Sequence, residues 1–250
     1  MAQAHQAGLV MLTVRGLSKS FGQVRALQDV DLDVSEGERL ALIGPNGSGK
    51  TTLFNAVSGA MRPTGGSVRF LDADITRLTM EQTARRGLVR TFQHDAVFPG
   101  LRVEQNLELP LIRRAGAATE LPADVPSLLD LAGLSGQAAS PAKSLPYGNR
   151  RRLGIAIAVA LNPRLLMLDE PAAGLNERET HELLEMLERL SALGVTLVVI
   201  EHDMPFIAAL CERAVVLNTG SVIATGTPAE VRRDPGVIEA YLGGSLVGAH

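Results

Sequence analysis

Residues Gly44-Pro45-Asn46-Gly47-Ser48-Gly49-Lys50-Thr51 match the pattern G-x-x-x-x-G-K-[ST] at every fixed position. This stretch constrains the fold as much as the ligand, because such a loop works only between a strand and a helix. Its backbone N–H groups must turn inward toward an anion, and the helix that follows must begin there. Both neighbours are legible. Arg39-Leu40-Ala41-Leu42-Ile43 reads as a buried strand, and residues 52–57 read as a helix whose N-terminal dipole faces the anion. The implied ligand is a nucleoside triphosphate with Mg²⁺, ATP in the simplest case. Gly44 through Gly49 supply the cradle, Lys50 reaches the β- and γ-phosphates, and Thr51 offers its hydroxyl to the metal. Thr52 stands beside it in the first helical turn.

The bulk composition narrows the remaining options. With 250 residues, 46% hydrophobic and 20% charged, the chain can bury a large core. A net charge of −3 argues against a dedicated nucleic-acid binder, and the pairs Arg85-Arg86, Arg113-Arg114 and Arg232-Arg233 read as solvated faces. The single cysteine, Cys211, excludes an internal disulfide and sits in an apolar stretch where burial and inertness are expected. No apolar run approaches the roughly 18 residues needed to span a bilayer. Residues 1–8 read as a frayed tail rather than a signal peptide. The expected location is therefore cytoplasmic, with membrane contact only through partners.

Hydrophobic patterning gives an α/β architecture. Residues 9–43 alternate apolar and polar, with turn signals at Phe21-Gly22 and Glu36-Gly37, as in an antiparallel β layer. A further strand is expected over residues 67–71. Residues 165–168, 195–200 and 214–217 read as buried strands, with an amphipathic helix over 177–193 between the first two. Continuously apolar strands alternating with helices indicate a mostly parallel sheet flanked by helices, a P-loop NTPase core. The proline-containing region 94–163 reads as an inserted helical sub-domain. Residues 9–93 and 164–250 would then form the nucleotide-binding core of a single domain.

The run Leu165-Leu166-Met167-Leu168-Asp169-Glu170 supplies a second half-site. An apolar strand ending in two acids places Asp169 where its carboxylate can bind Mg²⁺ through water. Glu170, one residue on, can align an attacking water and accept its proton.

With these two motifs in place, the chain resembles the ATPase subunits of ATP-binding cassette (ABC) transporters from about residue 12 to residue 242. The resemblance implies roles for further residues. In Lys19-Ser20-Phe21-Gly22, Phe21 would stack on adenine. In Thr91-Phe92-Gln93, Gln93 would sense Mg²⁺ and the γ-phosphate and connect to membrane subunits. In Ile200-Glu201-His202-Asp203, His202 would hydrogen-bond the γ-phosphate. His94 is expected to be exposed and to face a partner; His5, His181 and His250 have no assigned role.

The family's signature, usually Leu-Ser-Gly-Gly-Gln, corresponds to Leu145-Pro146-Tyr147-Gly148-Asn149. Leu145, Tyr147, Gly148 and Asn149 would contact ATP held by a second ATPase subunit, identical or distinct. Pro146 replaces the serine donor, a tolerable change at the first position of a helix. The lost bond would weaken binding across the interface by about 1–3 kcal/mol.

Residues 169–176, the run Ile200-Glu201-His202-Asp203-Met204 and the ending Gly226-Thr227-Pro228 with Ala240-Tyr241-Leu242-Gly243 are similar to one ATPase subunit of bacterial branched-chain amino acid importers. That likeness implies a second ATPase, two membrane permeases and, indirectly, a periplasmic substrate-binding protein at the inner membrane. The cargo would be branched-chain or related amino acids, amides or urea. An ATPase of a lipopolysaccharide-extraction or other export complex is the alternative, followed by a non-transport ABC ATPase and a metabolic P-loop kinase.

Overall fold

The computed structural model describes residues 9–91, 97–114 and 121–246. Its first layer is antiparallel. Val10–Phe21 (β1) and Val24–Ser35 (β2) form a long hairpin, and Gly65–Phe70 (β4) with Ala73–Asp74 (β5) extends it in the order β2-β1-β4-β5. Between the two pairs, Arg39–Ile43 (β3) leaves for the second sheet. There it joins Leu88–Arg90 (β6), Leu165–Asp169 (β7), Thr196–Ile200 (β8), Arg213–Asn218 (β9) and Ser221–Gly226 (β10). This six-stranded sheet runs β10-β9-β3-β8-β7-β6, with β9 through β6 mutually parallel and β10 antiparallel at one edge.

The apolar strands are apolar because both of their faces are covered. Leu40, Leu42, Leu165, Met167, Val198, Ile200, Val215 and Leu217 face one core, shared with the antiparallel layer and with helix Lys50–Val57 (α1). Their alternate neighbours Ala41, Ile43, Leu166, Leu168, Leu197, Val199, Ala214 and Val216 face the other. The second core is filled by Val103–Leu111 (α3), Val125–Leu131 (α4), Tyr147–Ala160 (α5), Glu177–Ala192 (α6) and Met204–Leu210 (α7). The period of two along each strand sends successive side chains to opposite cores. Met80–Ala84 (α2), Pro228–Val231 (α8) and Pro235–Leu246 (α9) complete the α-helices among the described residues.

Two strands escape the hydrophobic pattern. β6 is three residues long and ends in Arg90; it exists because Gly87 accepts from the N–H groups of Arg164 and Leu165, docking it on β7. β10 has only partly or fully exposed positions, as an edge strand does, and its apolar run is limited to Val222, Ile223 and Ala224. One arginine pair differs from its expected role. Arg114 donates to the carbonyls of Pro122 (2.8 Å) and Leu121 (3.1 Å) and to Asn162 (3.0 Å), so it fastens the helical region rather than facing water. Cys211 is buried, which pushes its thiol up to about 12. Among the described residues, no helix is long and apolar enough to cross a membrane.

Candidate nucleotide-binding site

Parallel strands bring their carboxyl ends to one edge of the sheet, and in this strand order that edge collects every strong motif. The loop 44–49 follows β3, Asp169 ends β7 with Glu170 just beyond it, and Glu201 and His202 follow β8. Because β3 pairs with β8 and β8 with β7, these stretches are spatial neighbours despite their separation in sequence. Thr91, bonded through its N–H to Met167 at 2.9 Å, leaves the same edge on β6. Phe92, Gln93 and His94 lie outside the described residues.

The loop itself has little freedom. Gly44, Gly47 and Gly49 have φ of +147°, +77° and +107°. A Cβ on Gly44 would stand 2.0 Å from the carbonyl oxygen of Leu217, and one on Gly49 would stand 2.6 Å from that of Ala26. Neighbouring backbone therefore dictates glycine at both. Gly47 differs: a Cβ there would meet nothing within 4 Å, so its backbone faces open space. Gly49 begins α1 without any side-chain cap. That leaves the N–H groups of this helix end uncapped by any side chain and available to an anion. Ser48 is 2% exposed, and its hydroxyl oxygen has no partner among the described residues.

Lys50 folds back over the loop and donates to the carbonyls of Gly44 (2.7 Å) and Pro45 (3.0 Å). Burial lowers its pKa, while Glu170 and then Asp169 pull it back up. Both acids therefore act electrostatically on the ammonium, which the sequence motifs alone do not guarantee. Thr51 is exposed in the first turn of α1 and Thr52 half-buried. An orphaned buried hydroxyl, an unobstructed Gly47 and an inward-folded ammonium all fit a polyphosphate. No group of three or more His, Cys, Asp or Glu side chains among the described residues could cage a metal.

Asp169 is 3% exposed and does not stand alone. Arg90 donates to its Oδ2 at 2.8 Å, bonds Asn55 Oδ1 on α1, and lies 5.7 Å from the centre of the Phe54 ring. One carboxylate oxygen is thus held, leaving Oδ1 free of that pair. Glu170 is half-buried with φ of +46°, a left-handed conformation uncommon for a residue with a Cβ. Its N–H donates to Ile200 at 2.9 Å.

His202 is exposed, at 69% for its side chain, and its Nδ1 lies 3.7 Å from Glu201 Oε2. Glu201 is 2% exposed and accepts from the N–H groups of Ala172 (2.8 Å) and His202 (3.0 Å). This buried carboxylate ties the segment after Glu170 to the segment bearing His202. His202, Ile43 and Tyr241 line one cavity of about 270 Å³ under α9. Tyr241 accepts a hydrogen bond from the Gly44 N–H, which works against the upward pull of burial on its phenol.

Phe21 closes β1 with an exposed ring, 49% accessible, and Lys19 Nζ sits 5.0 Å from its centroid. The same hairpin presents Ala26 to Gly49, so the aromatic tip stands near the loop.

The signature residues gather at the start of α5. Pro146 is the residue before the helix, with ψ of 158°, one position earlier than expected for an N1 proline. Leu145 is buried. The Tyr147 hydroxyl donates to Ala173 at 3.2 Å, the Gly148 N–H to Glu179 Oε1 at 3.3 Å, and the Asn149 amide to Gln137 at 2.8 Å. In this state the Gly148 N–H expected to address a phosphate is met by a carboxylate of the same chain. Glu179 also completes the N-terminal cap of α6 with Asn176.

Sequence patterns had left Arg90, Glu201, Arg151 and Tyr241 without roles. Each makes its key contact to a residue distant in the chain or to backbone, so no local signal reveals it.

A phosphate loop, a strand-ending acid pair and a histidine on the adjacent strand define a P-loop nucleotide-binding protein. Comparison with known proteins narrows this class. The family profile "ABC transporter" matches residues 27–173, and a "Branched-chain amino acid ATP-binding cassette transporter" profile matches residues 221–246. The chain belongs to the ABC transporter family. It is 40% identical over 251 residues to the "High-affinity branched-chain amino acid transport ATP-binding protein LivG" of Escherichia coli K12, covering 93% of this chain and 98% of that one. It is 35% identical to the E. coli K12 "Lipopolysaccharide export system ATP-binding protein LptB", covering 94% and 98%. The ADP-conformation crystal structure of MJ1267, an ATP-binding cassette of an ABC transporter, superposes with a TM-score of 0.85 at 29% identity, over 94% of this chain and 99% of that one.

Proposed function

We propose that this chain is the ATP-hydrolysing subunit of an importer for branched-chain or related amino acids, amides or urea. The observation that carries the reading is the meeting of Lys50, Asp169, Glu170 and His202 at one sheet edge, in a chain similar to an importer ATPase over 93% of its length. The export alternative has lower identity, 35% against 40%, and the match over 221–246 favours the importer.

The residues divide the work. The loop N–H groups and the α1 terminus bind the phosphates, and Lys50 leaves the Gly44 and Pro45 carbonyls to neutralise the β- and γ-phosphates. Thr51, Asp169 through its freer oxygen, and Gln93 would hold Mg²⁺, which would supply positive charge against the charge developing on the phosphates. Glu170 aligns the attacking water and takes its proton, and His202 donates to the γ-phosphate. Phe21 stacks on adenine.

Tyr147, Gly148 and Asn149 address the nucleotide of a second ATPase subunit. Its closure over ATP moves two permeases through the segment around residues 93–101, at the cytoplasmic face of the inner membrane. Contacts from both chains exist only in the closed state, so hydrolysis releases the pair.

Glu170→Gln tests this directly. ATP binding should persist while turnover falls by about 10²–10⁴. Light scattering should find the closed pair at saturating ATP and Mg²⁺ when the native sister subunits are supplied. Unimpaired turnover, or a persistent monomer, would overturn the reading.

A further inference from the structure

One turn into α5, Arg151 is only 7% exposed and points at the end of β7. Its Nη2 donates to the carbonyl oxygen of Glu170, and its Nε donates to that of Pro171 at 3.1 Å. Burying a guanidinium is costly unless its donors are used, and here they are spent on two consecutive carbonyls. The first belongs to a residue whose φ of +46° places it in the left-handed region. Such a conformation persists where the surroundings over-determine it. Around Glu170 they do: its N–H is held by Ile200 at 2.9 Å and its carbonyl also accepts from Ala173 at 3.2 Å. Three elements therefore set this backbone, namely β8, the turn after β7, and α5 through Arg151.

The same helix presents Tyr147 and Gly148 at its N-terminus, and Tyr147 adds a second strut to Ala173. An α-helix is stiff over one turn, so displacement of that terminus is carried to Arg151 and onward through its fork. We propose that Arg151 is a positioning residue for Glu170, coupling the signature helix to the carboxylate of this chain's own site. This rests on the function proposed above, in which α5 addresses the nucleotide of the partner subunit. Nucleotide in one site would then adjust the base of the other through a single side chain. The competing account makes Arg151 a purely structural donor, like its neighbour Arg152. Arg152 is equally buried at 6%, and bonds Ala132 (2.9 Å), Asn149 (3.0 Å) and Glu182, away from Glu170.

The test compares Arg151→Lys with Arg152→Lys in the full chain assembled with its native partners. Lysine keeps the charge but cannot fork across two carbonyls. For Arg151→Lys, kcat should fall tenfold or more while KM for ATP and the Kd of a fluorescent ATP analogue stay within twofold. Arg152→Lys should lower the thermal midpoint yet leave kcat within twofold. Hydrogen exchange, read without nucleotide, should be at least tenfold faster at Ala172 and Ala173 in Arg151→Lys alone. Unchanged kcat in Arg151→Lys, an equal loss in Arg152→Lys, or unchanged exchange at those amides would overturn the proposal. The exchange measurement separates this from the broader reading: an absence of hydrolysis by the native protein would refute the function, while the tie to Glu170 would still be decided.

Discussion

Replacing Arg90 with methionine should destabilise the nucleotide-free protein severely, because it strands a buried charge. Arg90 and Asp169 are 9% and 3% exposed at their side chains, with 2.8 Å between Nη2 and Oδ2. Breaking a buried pair by removing one partner costs about 3–5 kcal/mol, since the remaining ion keeps its desolvation penalty. For a chain of this size each kcal/mol shifts the melting point by about 2–4 °C, so the variant should melt roughly 6–20 °C lower. Asp169→Asn should also destabilise, stranding the guanidinium instead. The double variant Arg90→Met/Asp169→Asn removes both charges and should recover about 2–3 kcal/mol relative to the sum of the singles. Urea unfolding followed by circular dichroism measures all four corners of this cycle. ATP with Mg²⁺ should rescue Arg90→Met more than the native protein, because the cation restores positive charge beside Asp169. Additivity of the singles within about 0.5 kcal/mol would refute a coupled pair.

Three other substitutions bear on the site, and one probe reads the core. Gly44→Ala should prevent normal folding, because its Cβ would lie 2.0 Å from a backbone oxygen. Gly47→Ala should fold, at a cost of about 1–2 kcal/mol for its positive φ, yet weaken ATP binding at least tenfold in calorimetry. Equal folding of both variants would contradict the described backbone. Pro146→Ser should supply the missing N-cap oxygen and a donor to the partner's γ-phosphate. The second effect is worth about 1–3 kcal/mol, or roughly 5–150-fold in the ATP needed for half-maximal closure of the Glu170→Gln pair. No gain in closure would remove that role from position 146. Cys211, with a thiol near 12, is ionised to only about 1 part in 10⁴ at pH 8 and should resist alkylation until urea unfolds the chain. Rapid labelling of the folded protein would contradict its burial.

The readable parts of this molecule share one property: their physics is local. The phosphate loop announces itself because glycine, lysine and threonine must follow one another to wrap an anion. The strands 165–169, 196–200 and 213–218 are legible because a strand covered on both faces needs a continuous apolar run between its ends. β6 and β10 lacked such a signal, since one is three residues long and the other is an edge. The signature stretch could be aligned by resemblance, but the partners its donors already hold could not. Gly148 meets Glu179, thirty-one residues away, and Tyr147 meets Ala173, twenty-six away.

Residue order along the chain specifies that a triphosphate is bound and names the acids that follow an apolar strand. It leaves open how those pieces meet. Placing β3 between β9 and β8, with β7 beyond, is a consequence of packing two cores on opposite faces of one sheet. That packing carries Asp169 to Arg90, seventy-nine positions earlier, and Glu170 to Arg151 on the signature helix. Buried charges demand partners, and the chain can supply them only after folding has brought distant segments within hydrogen-bonding reach.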